Sequence, residues 1–174
     1  MSVHISLLRG INVSGQKKIK MEELRALYNS LGFKNVKTFI QSGNVIFECV
    51  ETDLSLLEKN IESGIKKQFG YDVHVLITTP FKLKEIIDNN PFDEEKTSVT
   101  FLSEIPKHIP WDELKTAKHE TEKIEISNDV VYIHYPIGIG KTKLSNNFFE
   151  RKLKVAATSR NLRTINKLWT LSGQ

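Results

Sequence analysis

The chain has 174 residues, of which 39% are hydrophobic and 26% charged. This composition is typical of globular proteins and excludes a disordered or fibrous chain, and no apolar run approaches the roughly 18 residues that a membrane-spanning helix needs. The net charge of +4 is unevenly distributed, with +5 over residues 1–42, +7 over residues 141–174 and −8 between them. The basic ends either generate a field that attracts anions, if they meet in the fold, or are solvated helix faces.

The N-terminus and the cysteine content indicate the compartment. The segment from Met1 to Arg9 has too short an apolar stretch for a signal peptide and no basic region before it. The single cysteine, Cys49, excludes an internal disulfide and a cysteine zinc site, and its strand-like surroundings indicate a buried bystander. We therefore expect a cytoplasmic protein that does not associate with membranes.

The first half of the chain predicts six elements. A long polar loop to about Lys18 follows the first apolar run, and Leu24, Leu27 and Leu31 then recur at helical spacing. The Gly43-Asn44 pair between two apolar runs is typical of a hairpin. In chain order, the predicted elements are a strand at 3–8, a helix at 21–31, strands at 36–40 and 45–49, a helix at 54–69 and a strand at 73–77.

The second half predicts a similar order of elements. It contains a short helix at 80–87, a strand at 97–102, a helix at 111–118, strands at 123–126 and 130–134, and a helix at 146–155. We expect Thr158 or Ser159 to cap one last helix, which buries Leu162 and Leu168. The loop around Thr79 is the predicted boundary, so that residues 1–79 form one lobe and residues 80–174 a second lobe with C-terminal helices.

The element order predicts where two polar segments lie. In a split strand-helix-strand unit whose third strand runs antiparallel between the first two, the loop after strand one and the turn after strand two share one sheet edge. We therefore expect the segments Arg9 to Lys18 and Gln41 to Asn44 to be neighbours. Arg9 and Asn12 have side chains that bind phosphate or carboxylate, although Arg9 is as well suited to an internal ion pair. Gln41, Ser42 and Asn44 either contact a ligand or stabilise the turn.

A third polar segment runs from Gly138 to Ser145. Its Gly-Lys-Thr sequence follows a strand, as in a phosphate-binding P-loop, but Tyr135 stands where that motif requires a glycine. Lys141, Lys143 and Ser145 therefore either bind a phosphate or acidic partner, or form a solvated loop in which Ser145 caps a helix.

A polar cluster lies at the start of the predicted last helix, where unpaired N–H groups favour anions. Helix capping explains Thr158 or Ser159 but not the positive charge of Arg160, which suggests another partner for Arg160 and Asn161. The five histidines show no ligand spacing, so no metal site and no cofactor is predicted. The strands also lack the aromatic motif of an RNA-recognition sheet.

Five motifs together resemble a known family. They are Leu7-Leu-Arg-Gly-Ile-Asn-Val13, Lys20-Met-x-x-Leu-Arg25, Gln41-Ser-Gly-Asn-Val45, Gly138-x-Gly-x-Thr-Lys-Leu144 and Ser159-Arg-Asn-x-x-Thr164. In this order they resemble the uncharacterised, mainly bacterial family catalogued as domain of unknown function 1697. The resemblance implies an α+β fold with two ferredoxin-like lobes and mainly antiparallel sheets, and it implies no reaction, substrate or cofactor. The family usually has tryptophan where this chain has Leu162.

These patterns support one leading hypothesis and two alternatives. The first is a module that binds a phosphorylated small molecule, a nucleotide or a nucleic acid. The alternatives are a self-association or protein-interaction module with architectural loops, and an enzyme of unknown reaction, for which no catalytic constellation is visible. The sequence does not decide the oligomeric state. The candidate ligand-binding residues are Arg9, Asn12, Lys18, Gln41, Ser42, Asn44, Lys141, Lys143, Ser145, Arg160, Asn161 and Thr164.

Overall fold

A computed structural model describes residues 1–173, which divide into two compact units. The first unit comprises Met1–Ile86 together with the segment from Asn166 onward, and the second comprises Ile87–Ile165. The lobes predicted at residues 1–79 and 80–174 stay a prediction, and the two compact units have different bounds at residues 80–86 and at the end of the last helix.

The first unit contains a four-stranded antiparallel sheet with helices between its strands. The strand order is β2-β3-β1-β4, and every neighbouring pair is antiparallel. This is the predicted split unit, with the third strand between the first two. The elements are β1 (Ser2–Leu8), α1 (Met21–Ser30), β2 (Lys34–Phe39), β3 (Asn44–Cys49), α2 (Leu54–Phe69) and β4 (Val75–Thr78), followed by α3 (Pro80–Asp88).

Local sequence explains why α2 begins and ends where it does. The Asp53 side chain accepts a hydrogen bond from the backbone N–H of Leu56, and Gly70 ends the helix in the left-handed conformation at φ 77°. Three apolar residues at helical spacing, Leu57, Ile61 and Ile65, are buried against the sheet. The amphipathic pattern therefore fixes which face of α2 covers the core.

An aromatic cluster fills the core of the first unit. Phe33 and Phe47 are stacked with ring centroids 4.6 Å apart, and Tyr28 meets Phe47 edge-on at 5.4 Å. The Tyr28 hydroxyl is 2.7 Å from Ser6 Oγ, so this buried polar group is satisfied inside the core. Burial raises the pKa of Tyr28, which therefore stays protonated.

The second unit repeats this topology. Its strand order is β6-β7-β5-β8, again antiparallel throughout, so that the strands occupy the same relative places as β2-β3-β1-β4. The chain thus has the predicted α+β class with two ferredoxin-like lobes. The elements are β5 (Thr97–Leu102), α4 (Trp111–Ala117), β6 (Lys123–Ser127), β7 (Val130–His134), α5 (Asn146–Leu153), β8 (Ala157–Asn161) and α6 (Leu162–Leu171).

Strand β8 was not predicted, and the predicted cap of the last helix was wrong. Thr158 and Ser159 lie within β8, which pairs with β5, and the Ser159 hydroxyl is 2.7 Å from that of Thr100. Asn161 caps α6 instead, because its Oδ1 accepts a hydrogen bond from the Thr164 N–H at 2.8 Å. A polar strand forms here because sheet pairing satisfies its backbone, which the sequence pattern does not reveal.

Within residues 1–173, no helix combines the length and the apolar character that crossing a membrane would require.

Candidate functional site

The loop after β1 and the turn after β2 adjoin, as predicted. The Asn12 side chain donates to the carbonyl oxygens of Ile19 at 2.9 Å and Gln41 at 2.8 Å, and its Oδ1 accepts from the Ile19 N–H at 2.9 Å. The Leu8 N–H also donates to the Gly43 carbonyl at 2.9 Å. We call the segments 9–18 and 41–44 together the N-terminal loop surface. The hydrogen bonds of the Asn12 side chain join these two segments.

Gly43 is required at this junction for two reasons. Its φ of +80° lies in the left-handed region, where a side chain is strained. A Cβ placed there would lie 2.7 Å from Leu8 Cβ and 2.8 Å from Ile11 Cδ1, which is closer than such atoms can approach. The backbone of the turn therefore packs directly against Leu8 and Ile11, because Gly43 has no side chain to separate them.

The loop itself is a small hairpin rather than an irregular excursion. The Gln16 N–H donates to the Val13 carbonyl at 2.9 Å, and Ser14 and Gly15 both have positive φ, at 49° and 74°. Two successive residues of positive φ are typical of the tight type I′ turn. Among the described residues, the N–H groups of Gly10, Ser14 and Gly15 have no acceptor. The hairpin tip thus presents backbone donors to solvent.

The sequence on both sides of this hairpin is basic. Arg9 is half-buried, Lys18 and Lys20 are exposed, and a Cβ on Gly15 would lie 3.9 Å from Lys18 Cε, so the Lys18 chain lies over the tip. Lys17 Nζ donates to the backbone carbonyl of Asp72 at 2.5 Å. The first carboxylate of the sequence is at residue 22. The N-terminal loop surface therefore carries positive charge without an acidic residue of its own.

The turn residues have structural partners. Asn44 is buried, and its Nδ2 donates to the Phe39 carbonyl at 2.9 Å and to Ser42 Oγ at 3.0 Å. Gln41 is exposed, and its carbonyl accepts from Asn12. The turn-stabilising alternative is therefore observed for Ser42 and Asn44, whereas the Gln41 side chain is on the surface.

In the second unit, the segment after β7 places its lysines in solvent. Lys141 and Lys143 are exposed, and Ser145 Oγ accepts from the Phe148 N–H at 3.2 Å as the N-cap of α5. Leu144 is buried and anchors the segment, while its carbonyl accepts from the Tyr135 hydroxyl at 3.4 Å. The predicted capping role of Ser145 is confirmed.

Arg160 is a strand residue and not a helix-terminal one. It is 8% exposed, and its Nη1 donates to Thr158 Oγ1 at 2.9 Å and to the Ser159 carbonyl at 2.8 Å. In the β5–β8 register it pairs with Val99, on the sheet face opposite to that of Ala157. The helix-terminal position expected of Arg160 is therefore wrong, whereas Asn161 caps α6 and Thr164 lies in its first turn. Ligand binding by these residues stays a prediction.

The candidate residues thus form two groups, one in each unit. Arg9, Asn12, Lys18 and the turn residues belong to the first unit, and the candidates from Lys141 to Thr164 belong to the second. That both groups serve one ligand stays a prediction.

Cys49 lacks the surroundings of a reactive thiol. It is buried, as predicted, and burial raises the pKa of its thiol. Its Sγ lies 3.6 Å from His4 Nδ1, but desolvation lowers the pKa of His4 and so disfavours the charged imidazolium that would activate a thiolate. Within residues 1–173, no cluster of histidine, cysteine and carboxylate side chains could hold a metal ion.

A cavity of about 360 Å³ in the second unit was missed by sequence reasoning. Its walls include Lys96, Ile137 and Ile139, which were not candidates, besides the candidate Asn161. The signal that could have revealed it is the alternation of isoleucine and glycine in an otherwise polar segment, Ile137-Gly-Ile-Gly140. Isoleucine is unusual in a solvated loop because exposing its apolar side chain to water is unfavourable.

Comparisons with known proteins give a family and a fold. A family model described as "Protein of unknown function (DUF1697)" matches residues 1–132. The chain is also similar to a solved structure, that of conserved bacterial protein SP0830 from Streptococcus pneumoniae, with 20% identity, 98% of each chain covered and a TM-score of 0.69. At this identity the likeness shows the fold alone. No curated protein matches the chain.

Proposed function

Because the chain belongs to the DUF1697 family of proteins of unknown function, we propose a function from its own residues: it is a cytoplasmic protein that binds a phosphate-bearing ligand at the N-terminal loop surface. One observation carries the proposal. Arg9, Lys17 and Lys18 lie on the segment 9–18, which contains no carboxylate and which the side chain of Asn12 ties to Ile19 and Gln41. Pre-ordered donors bind an anion without the entropy cost of ordering a mobile loop.

Backbone geometry adds to the side-chain charge. The residues of positive φ in the hairpin turn successive N–H groups outward, and concavities made of such groups bind anions. Lys18 lies over the same tip and can approach a ligand from the side. A phosphate would therefore receive hydrogen bonds from the N–H groups of Ser14 and Gly15 and charge from Lys18.

The competing charges nearby are already paired. The Asp72 carboxylate forms an ion pair with Lys66 at 2.8 Å, and the hydrogen bond from Lys66 lowers the pKa of Asp72. Because the Asp72 carboxylate is paired with Lys66, it competes less strongly with an external anion for the lysines of the loop.

The test is a titration of isotope-labelled protein followed by backbone amide NMR signals. Inorganic phosphate, adenosine monophosphate and a short single-stranded oligonucleotide serve as probes. We expect the signals of Gly10, Ser14 and Gly15 to shift, with an affinity that falls as salt rises because phosphate binding displaces counterions. Lys18→Ala should weaken binding about tenfold, since a hydrogen bond to a charged group contributes about 1.5–3 kcal/mol.

Lys59→Ala is the matched control, because Lys59 is an exposed lysine of the same unit on α2. An equal loss in both variants would mean a diffuse charge effect and not a site. Binding that does not change from low to high salt, or shifts confined to other segments, would contradict the proposal. A mass that rises with protein concentration in light scattering, without anion binding, would favour the self-association alternative.

A further inference from the structure

The cavity of the second unit has the size and the composition of a small-molecule site. Its volume of about 360 Å³ falls at the lower end of the range for such sites, roughly 300–1,000 Å³. It is lined by residues at the start of β5, by the segment that follows β7, and by the residue that caps α6. The lining residues are Glu95, Lys96, Thr97, Tyr135, Pro136, Ile137, Gly138, Ile139 and Asn161.

Two exposed isoleucines give the cavity an apolar wall. Ile137 is 59% exposed and Ile139 57%, although both are large aliphatic side chains. Gly138 between them has φ 100° and ψ 159°, a conformation that is essentially restricted to glycine and sets the direction of the chain here. Single exposed apolar residues are common, but two that line one concavity with Tyr135 and Pro136 are suited to cover an apolar ligand body.

Two hydrogen-bond donors in the wall remain available. Asn161 uses its Oδ1 to cap α6, and no acceptor among the described residues engages its Nδ2. Lys96 has no side-chain ion pair within residues 1–173. By contrast, Thr97 Oγ1 donates to the Asp93 carbonyl, and the Tyr135 hydroxyl donates to that of Leu144. The polar recognition group of a ligand would therefore be an acceptor.

The charges in the wall limit how negative that acceptor can be. Glu95 also lines the cavity, and its Oε1 is 4.0 Å from Nη2 of the exposed Arg163, a separation at which an exposed pair is weakly coupled. A dianionic phosphate would be repelled by Glu95 more than a carboxylate carrying one negative charge. The wall is thus better matched to a single negative charge beside Lys96.

We propose that this cavity binds a small carboxylic acid with an apolar body, such as an aryl or branched-chain carboxylate. The carboxylate accepts hydrogen bonds from Lys96 Nζ and Asn161 Nδ2, and the body packs on Ile137 and Ile139. This site is separate from the N-terminal loop surface and does not depend on the function proposed for it.

The experiment is an NMR titration with phenylacetate, with 2-phenylethanol as a neutral analogue and phenyl phosphate as a dianionic one. We expect phenylacetate to shift the signals of Gly138, Ile139 and the Asn161 side-chain amide, and to bind at least about tenfold more tightly than either analogue. The alcohol cannot form the charged hydrogen bonds, and the second negative charge of phenyl phosphate is repelled by Glu95. Equal affinity for phenyl phosphate, or no shift with phenylacetate, would overturn the proposal.

Asn161→Asp separates binding from folding. Aspartate caps a helix as well as asparagine does, so α6 should remain intact, but it lacks the Nδ2 donor and adds a repelling charge. We expect binding to fall at least about tenfold in Asn161→Asp and in Lys96→Met, and to be unchanged in Lys107→Met, an exposed lysine of the same unit, and in Lys18→Ala. Wild-type affinity in both cavity variants would refute the assignment.

Discussion

The two units share one strand order but build their fourth strand from opposite kinds of residue. Strand β4 has the sequence Val-Leu-Ile-Thr and is buried throughout, whereas β8 has the sequence Ala-Thr-Ser-Arg-Asn and places an arginine in its buried part. Both pair antiparallel with the first strand of their unit. The comparison shows that a strand at this place is specified by its neighbours, because pairing with the first strand satisfies its backbone whatever its side chains are.

The units also share a way of protecting the fourth strand. This strand lies at the sheet edge, where N–H groups would otherwise be unpaired. In the first unit Glu62 accepts from the Val75 N–H and Glu58 from the Ile77 N–H, each at 2.9 Å. In the second unit Glu150 of α5 accepts from the Ala157 N–H at 3.0 Å. A glutamate on the preceding helix thus covers the edge in both units.

Each unit contains one tryptophan, which allows the two to be followed separately. Trp111 is in α4 of the second unit, and Trp169 is in the part of α6 that belongs to the first. A Trp111→Phe background therefore reports unfolding of the first unit by fluorescence, and a Trp169→Phe background reports the second. The stability of each unit can therefore be measured in the background that retains its own tryptophan.

The largest expected effect is at Gly43. Gly43→Ala adds a left-handed strain and a clash with Leu8 and Ile11, so we expect the free energy of unfolding of the first unit to fall by about 3 kcal/mol or more. Gly138→Ala is the counterpart in the second unit: its φ is also positive, but a Cβ there meets nothing within 4 Å, so the cost should come from backbone strain alone and be about 1–3 kcal/mol.

Urea unfolding in the two tryptophan backgrounds measures both costs. Equal losses would show that the close approach to Leu8 does not matter and that backbone conformation alone determines the cost of these substitutions.

The next effect tests the protected edges. Glu58→Ala leaves the Ile77 N–H without an acceptor and should destabilise the first unit by about 1–3 kcal/mol. Glu58→Gln keeps an Oε1 acceptor and should cost much less. Glu150→Ala and Glu150→Gln should repeat this difference in the second unit, since Glu150 has the same role.

Hydrogen exchange at Ile77 and Ala157 gives a local measure of the same bonds. Alanine should accelerate exchange at the facing amide and glutamine should not. If glutamine were as damaging as alanine in either unit, the charge of the glutamate and not its acceptor oxygen would stabilise that edge.

The smallest expected effect is a pH dependence of the free energy of unfolding of the first unit, which arises from Glu58. Burial is the largest effect on Glu58 and raises its pKa, and the nearby charge of Glu62 also raises it. The hydrogen bond from the Ile77 N–H and the charge of His74 lower it, but by less. A raised pKa in the folded state means that folding favours the protonated acid. The contribution of Glu58 is therefore complete below the unfolded pKa of about 4.3 and is lost as pH rises through the folded value.

We expect the difference in urea midpoint between Glu58→Gln and wild type to grow in favour of the variant from about pH 4 toward neutral pH. Taking the difference cancels the pH dependence from groups that both proteins share. One such group is Asp72, whose pKa is lowered by Lys66 and whose contribution has the opposite sign. A difference that is constant with pH would contradict the assigned shift.

Much of the fold followed from the sequence because its elements have strong local signals. The amphipathic spacing of Leu57, Ile61 and Ile65 predicted α2, and the Gly43-Asn44 pair predicted the hairpin between β2 and β3. Element order then predicted that the loop after β1 adjoins the turn at residues 41–44, which the Asn12 hydrogen bonds confirm. These inferences succeed because periodicity and turn chemistry depend on near neighbours in the chain.

The candidate sites were less predictable because their side chains form hydrogen bonds with residues that are distant in the sequence. Asn12 and Asn44 were candidates for ligand binding, yet their side-chain amides bind backbone carbonyls of the fold, and Ser145 serves as a cap. The cavity between β5 and the segment after β7 joins residues some forty positions apart. No local pattern indicates that Lys96 and Ile137 line the same wall.

The sequence by itself determined the helices, the apolar strands and the basic character of the N-terminal loop, because these depend on the spacing and charge of residues close along the chain. Only the tertiary structure decided that the polar segment 157–161 is a strand and that glutamates of α2 and α5 cover the sheet edges. Pairing energy between distant segments overrides local preference there. It also decides which polar side chains remain available to a ligand.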